Sequence, residues 1–134
     1  MAKTFKLEII TPEKVVYSDS VLSIIADGIE GFFGVLADHA PLITELQTSI
    51  LTVNDAHNKT VRLALDGGFM EVMANNVFVL TDRCVTEGEV DIERARAEKD
   101  SAEKAVAKGG TSKEKVKAQS ALKRAHTWLR LVNK

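Results

Sequence analysis

The sequence predicts an α+β protein: an N-terminal antiparallel β-sandwich followed by a C-terminal two-helix antiparallel hairpin. Up to Cys84, short apolar runs of period two recur between turn residues at intervals of about 8 to 12 residues, the spacing of a sandwich or barrel. Beyond Cys84 the apolar residues change to helical spacing. Gly109-Gly110 then divides the helical stretch, with a capping sequence directly after it. A β domain is therefore expected over residues 1–86 and a helical hairpin over 87–134.

Phe5, Leu7 and Ile9 point one way while Lys6 and Glu8 point the other, as in a half-buried strand that Thr11-Pro12 ends. Short β-like runs follow at Lys14 to Tyr17 and Val21 to Ala26, and after a glycine-rich segment at Ser49 to Val53. Asn54 to Lys59 reads as a polar hairpin turn returning as Thr60 to Leu65. Asp66-Gly67-Gly68 and Asn75-Asn76 supply the next turns, before Phe69 to Met73 and Val77 to Asp82.

Glu87 to Val90 is a short connector, and Asp91 can cap a helix that runs through Val106 with Ile92, Ala95, Ala102, Ala105 and Val106 on one side. Thr111-Ser-Lys-Glu114 is a capping box opening a second helix, Ser112 to Val132. There Ala118, Ala121, Leu122, Ala125, Trp128, Leu129 and Val132 keep helical spacing. A seam built mostly of alanine buries little apolar area, at about 0.8 kcal/mol per methyl or methylene group, so docking of the hairpin should be reversible. Helices of about 15 residues are marginal alone, so these depend on each other or on a partner.

The chain has 134 residues, enough for one ordinary domain or a small one with an appendage. No apolar run approaches the roughly 20 residues of a membrane span, and the opening residues show neither a signal-peptide apolar region nor a transit-peptide bias. The mature protein is expected to stay where it is made. Cys84 is the single cysteine, which excludes an intrachain disulfide and a multi-cysteine metal site; a half-buried structural thiol is expected. Charge is divided unevenly. Residues 1–84 carry six basic and eleven acidic side chains, whereas 113–134 carry seven basic residues and the single acid Glu114. An acidic partner is implied for the last helix.

The most constrained stretch runs from Gly28 to Glu45. Gly28, Gly31 and Gly34 can take backbone angles closed to other residues, and Pro41 forces Ala40 towards extended geometry, so a shaped contact loop is expected. Adjacent Phe32 and Phe33 between glycines should leave at least one ring exposed. Asp38-His39 lacks a nucleophile or second acid at recognisable spacing, so His39 reads as a loop-fixing hydrogen-bonding residue. His57 and His126 are isolated, and neither a phosphate loop, a dinucleotide fingerprint nor a metal-ligand pattern occurs. No catalytic residues and no metal are expected.

Gly28, Gly31, Gly34, Val35, Leu36, His39, Ala40, Pro41 and Leu42 resemble the G-x-x-G-x-x-G-[VI]-[LY]-x-x-H-[AS]-P-L pattern of the epsilon subunit of bacterial and chloroplast F-type ATP synthases. Gly67-Gly68-Phe69-Met70-Glu71-Val72 is similar to that family's S-G-G-[FI]-x-E-V, with Asp66 where serine is usual. Val90-Asp91-Ile92-Glu93-Arg94-Ala95 resembles the [IL]-D-x-x-R-A motif through which some bacterial members bind ATP, with valine at the first position.

The resemblance implies a non-catalytic subunit of the central stalk that couples the ion-driven rotor to ATP synthesis and restrains hydrolysis through its C-terminal helices. Its implied partners are the gamma subunit, the membrane rotor ring of c subunits and the alpha/beta catalytic head, with no nucleic acid. The implied location is peripheral, at the cytoplasmic face of a bacterial cell membrane, with a plastid thylakoid as the other setting. Rotor-ring contact then falls to Gly28, Gly31, Phe32, Phe33, Gly34, His39 and Pro41, and regulatory ATP, with no required cofactor, to Asp91, Arg94, Ala95 and Arg124. Trp128 stands where ATP binders often have another basic residue. Lys123, Arg124 and Arg130 are the charges implied to meet an acidic segment of the catalytic head. From composition alone, a free-standing β-sandwich adaptor whose basic hairpin binds an acidic protein or nucleic acid is the alternative.

Overall fold

Residues 3–133 are described by a computed structural model, and its first strand lies where the alternation begins. The strands are β1 (Phe5–Ile10), β2 (Val15–Gly28), β3 (Gly31–Leu36), β4 (Leu42–Asp55), β5 (Thr60–Met73), β6 (Asn76–Leu80) and β7 (Cys84–Thr86). Their order is β1-β6-β5-β4-β2-β3, with β7 on β5 and a further β1–β2 pairing. That pairing closes the sheet on itself as a barrel-like sandwich and leaves β3 bonded to β2 alone. One pair departs from the antiparallel expectation: β1 runs parallel to β6. Because β1 pairs antiparallel with β2 along its other side, it is the strand that closes the ring.

The period-two reading holds in β1, where Phe5, Leu7 and Ile9 are buried and the residues between them are partly exposed. They join Val21, Ile24, Leu51, Val53, Leu63, Met70, Val77 and Val79 in one core. Cys84 is also buried there, rather than half-buried.

Several expected breaks are continuous strand. The runs expected at 14–17 and 21–26 merge into β2, which begins at Val15, because Ser18, Asp19 and Ser20 pair with Glu8, Leu7 and Lys6 of β1 although they are polar and exposed. Gly67-Gly68 is not a chain reversal. It lies inside β5, which keeps one register against β4 on both sides, from Thr48 opposite Asp66 to Leu46 opposite Gly68. Positive φ angles of 70° and 122° bend the strand there. At Gly68 an added Cβ would overlap the main-chain carbonyl of Leu80, so both the backbone angle and the close approach of β6 demand glycine.

The chain forms two compact units, one ending at Val85 and the next beginning at Thr86. In the second unit, a short 3-10 turn (Glu87–Glu89) precedes α1 (Ile92–Lys108) and α2 (Ser112–Val132). Asp91 caps α1 by accepting from the Arg94 N–H at 3.1 Å, and Thr111 caps α2 by accepting from the Glu114 N–H at 3.2 Å. Ile92 and Arg96 share one groove with Leu129 and Val132, while Ala102 and Ala105 share another with Ala118 and Ala121. This is the antiparallel order. Ala95, Ala102, Ala118, Ala125, Thr127 and Leu131 are the buried residues of the helices. Ile92 and Ala105, expected on the apolar side, are exposed because each borders a groove instead of the closed seam. Among the described residues no helix is long and apolar enough to cross a membrane.

Candidate functional site

The glycine segment is a β-hairpin rather than the expected loop. β2 ends at Gly28, Ile29-Glu30 make the turn, and Gly31 opens β3 directly opposite Gly28. Pairing persists because the segment carries core residues: Val35, 1% exposed, faces Ile24, and Phe33 faces Ala26 and packs on the core. Pleat alternation then sends Phe32 outward, where it is 76% exposed.

The three glycines serve different needs. Gly31 holds φ at 125°, which favours glycine alone. A Cβ on Gly28 would lie 3.1 Å from the Phe33 ring, so this glycine makes room for that ring over the turn. Gly34 has space for a Cβ and an unstrained backbone; it keeps the outward surface low opposite Ile25. The Ile29 N–H donates to the Glu45 carbonyl at 3.1 Å and fastens the tip to β4.

At the other end of β3 the chain turns through Asp38, whose φ is 65°, and the His39 N–H donates to the Leu36 carbonyl at 3.2 Å. His39 Nδ1 lies 2.6 Å from the Ala40 carbonyl; a carbonyl only accepts, so Nδ1 carries the proton. This is a loop-fixing bond. Beside it His39 is half-buried and Pro41 exposed. The Asp38 carboxylate accepts from Lys3 Nζ and from the Asn75 amide, and these bonds hold its pKa below the ordinary value.

Sequence reasoning missed how far the outward apolar surface extends. Ile25 and Leu36 lie on the same side as Phe32, both more than half exposed. A second apolar surface surrounds a groove of about 500 Å³ lined by Ile10, Thr11, Pro12, Gly68, Phe69 and Leu80, among others. Phe69 and Leu80 face each other across β5 and β6 and are each about half exposed. The signal was available in the alternation: Met70 and Val79 are inward, so their neighbours had to point out.

On the hairpin, the residues expected to meet ATP are not all gathered. Asp91 is engaged as the α1 cap, Arg94 pairs with Glu98 at 3.2 Å, and Ala95 is fully buried in the seam. Arg124 lines a groove of about 460 Å³ with Glu98, Ala102, Glu114, Lys117 and Ala118, and its guanidinium lies 6.0 Å from the Trp128 ring centre. Neither Asp91 nor Arg94 lines that groove; Glu98 is the link between it and Arg94. Lys123 and Arg130 are exposed on α2, Arg130 in the last turn where the helix dipole favours a cation. No cluster of three or more His, Cys, Asp or Glu suited to a metal ion occurs among the described residues.

Comparison with known proteins places both units in one family. Residues 4–87 match the domain described as "ATP synthase, Delta/Epsilon chain, beta-sandwich domain", and residues 89–133 match the "long alpha-helix domain" of the same chain type. A protein of Desulforamulus reducens named ATP synthase epsilon chain is 40% identical over 125 residues, covering 93% of this chain and 94% of that one. The protein of the same name in Syntrophomonas wolfei is 37% identical, covering 98% and 96%. Among solved structures, a chain of the Euglena gracilis mitochondrial ATP synthase shares the fold with a TM-score of 0.84 at 22% identity, covering 98% of this chain and 82% of its own.

Proposed function

The chain belongs to the ATP synthase delta/epsilon chain family, and from that membership we propose that it works as the epsilon subunit of an F-type ATP synthase central stalk. The observation that carries this reading is the match of both units, in order, to relatives named epsilon chain that are covered almost end to end. In this role the chain catalyses nothing. It joins the gamma subunit and the rotor ring at the foot of the stalk, at the cytoplasmic face of the membrane, and its helical hairpin reaches towards the alpha/beta head to restrain hydrolysis.

Physical features support the division of labour. β3 presents Phe32 and Leu36 on a strand without a charged side chain, with Ile25 of β2 beside them, which suits a partner contact. The surface around Phe69 and Leu80 is a second apolar face, available for the stalk subunit beside it. The hairpin's seam is built largely of alanine and buries little apolar area, and its basic second helix suits an acidic contact, as a regulatory arm requires.

Cross-linking tests the rotor contact. Cys84 is buried, and Cys84→Ala gives a cysteine-free background in which Phe32→Cys is the only thiol. In the assembled complex that thiol is expected to cross-link to a ring subunit. Cross-linking only to alpha or beta would refute the contact.

A further inference from the structure

The outward face of β3 needs a fixed base as well as a fixed tip, and the base is held by side chains far apart in sequence. The Asp38 N–H donates to Asn75 Oδ1 at 2.6 Å, and Asn75 Nδ2 donates back to Asp38 Oδ1 at 3.0 Å. Lys3 Nζ reaches both carboxylate oxygens, at 2.7 and 3.0 Å, while the Asn75 carbonyl accepts from the Lys6 N–H at 2.9 Å. The start of β1, the β3–β4 connection and the β5–β6 turn are thereby tied together. β3 and β6 are not neighbours in the sheet, so no strand ladder makes this link.

Backbone geometry shows that the side chains are used as well as the turns. Asp38, Ala74 and Asn75 all have left-handed φ angles, of 65°, 50° and 65°. Glycine would satisfy such angles with less strain, but glycine could not form the reciprocal bonds. Asp and Asn are the residues that tolerate this region best while still carrying a donor or acceptor.

We propose that Asp38 and Asn75 are positioning residues that clasp the base of β3 and aim Leu36, His39 and Pro41 at the partner surface, so that rotor coupling depends on a link with little bearing on folding. The inference rests on the reading of this segment as a partner contact. β3 is bonded on one edge, and without the clasp its return through Ala37 to Pro41 keeps the local His39 bonds but loses its tie to the β5–β6 turn. The tip remains fastened by Ile29 to Glu45, so loss of the clasp loosens one end of the element and leaves the fold intact.

Asp38→Gly and Asn75→Gly remove the side chains while accommodating the left-handed backbone, which separates the clasp from the turns. On the purified full chain, Asn75→Gly, which removes the acceptor of the Asp38 N–H, is expected to speed hydrogen exchange at that amide by about five- to tenfold, the order expected for loss of one or two hydrogen bonds, whereas Asp38→Gly, which keeps this N–H and its acceptor, should speed it less. At that amide the double variant should be no faster than Asn75→Gly alone, because Asn75→Gly already removes both bonds between the two residues. In complete complexes reconstituted into vesicles, each variant should lower the ions transported per ATP hydrolysed, and Asp38→Asn, which keeps a side-chain oxygen to accept from the Asn75 amide and tolerates the backbone, should restore much of it. Faster exchange with unchanged coupling, or additive effects in the double variant, overturns the inference. The Phe32→Cys cross-link made with residues 38 and 75 intact separates the two readings: its formation with unchanged coupling in the glycine variants condemns the clasp alone, whereas its absence condemns the contact and this inference together.

Discussion

At Gly68 and Gly34 the same residue type does opposite work, and substitution should separate them. Alanine at Gly68 must adopt a φ of 122° and drive its Cβ into the Leu80 carbonyl, which is backbone and cannot swing aside. A loss of about 2 to 4 kcal/mol in unfolding free energy is expected, the sum of a strained backbone and an overpacked contact. Alanine at Gly34 meets only ordinary van der Waals distance to the Ile24 carbonyl and should stay within about 0.5 kcal/mol of the parent. Denaturant unfolding of the two variants checks the contrast; equal losses would show that the contact with β6 does not set the cost. The sequence marked all the glycines and could not rank them, because spacing records where glycine stands and not what its missing Cβ would strike.

Among the elements, the helical hairpin was the more legible part. Both caps, Asp91 and Thr111, and the break at Gly109-Gly110 were readable because capping is local and its residues lie within four positions of one another. The strands were read in pieces for the converse reason. Ser18 to Ser20 belong to β2 only because β1 pairs with them, and that partner is invisible in a local window. Leu131 and Thr127 were missed as buried positions: the hydroxyl of Thr127 donates to the Lys123 carbonyl at 2.8 Å, which lets a polar residue occupy an inward position. The motif residues Asp91, Arg94 and Arg124 remain a proposed ATP site, and a ligand touching all three must extend beyond the groove at Arg124 to the N-terminal end of α1. The Arg94–Glu98 pair is exposed and offers little resistance to a competing phosphate. Saturable binding of ATP to the purified chain is expected, weakened about tenfold or more by Arg94→Ala, as for loss of a charge-assisted phosphate contact. Absence of binding up to millimolar ATP, or binding indifferent to the substitution, rejects the site.

For the whole molecule, the central claim is that one chain carries two separable tasks, holding the stalk through the sandwich and restraining hydrolysis through the hairpin. The break between the units at Val85 and Thr86 and the contrast in charge between the halves give the claim its physical basis. A chain ended after Glu89 keeps all seven strands and the whole buried core of the sandwich, so it should fold and assemble. The restraint itself should weaken with salt, since exposed charges such as Lys123 and Arg130 are screened beyond about 10 Å at 0.1 M ionic strength. The decisive measurement is the ATP hydrolysis rate of complexes reconstituted with the full chain or with the chain ended after Glu89, at low and high salt. The account predicts intact assembly in both and faster hydrolysis by the shortened form, with the larger difference at low salt. Equal hydrolysis rates in fully assembled complexes under all nucleotide and salt conditions would contradict it.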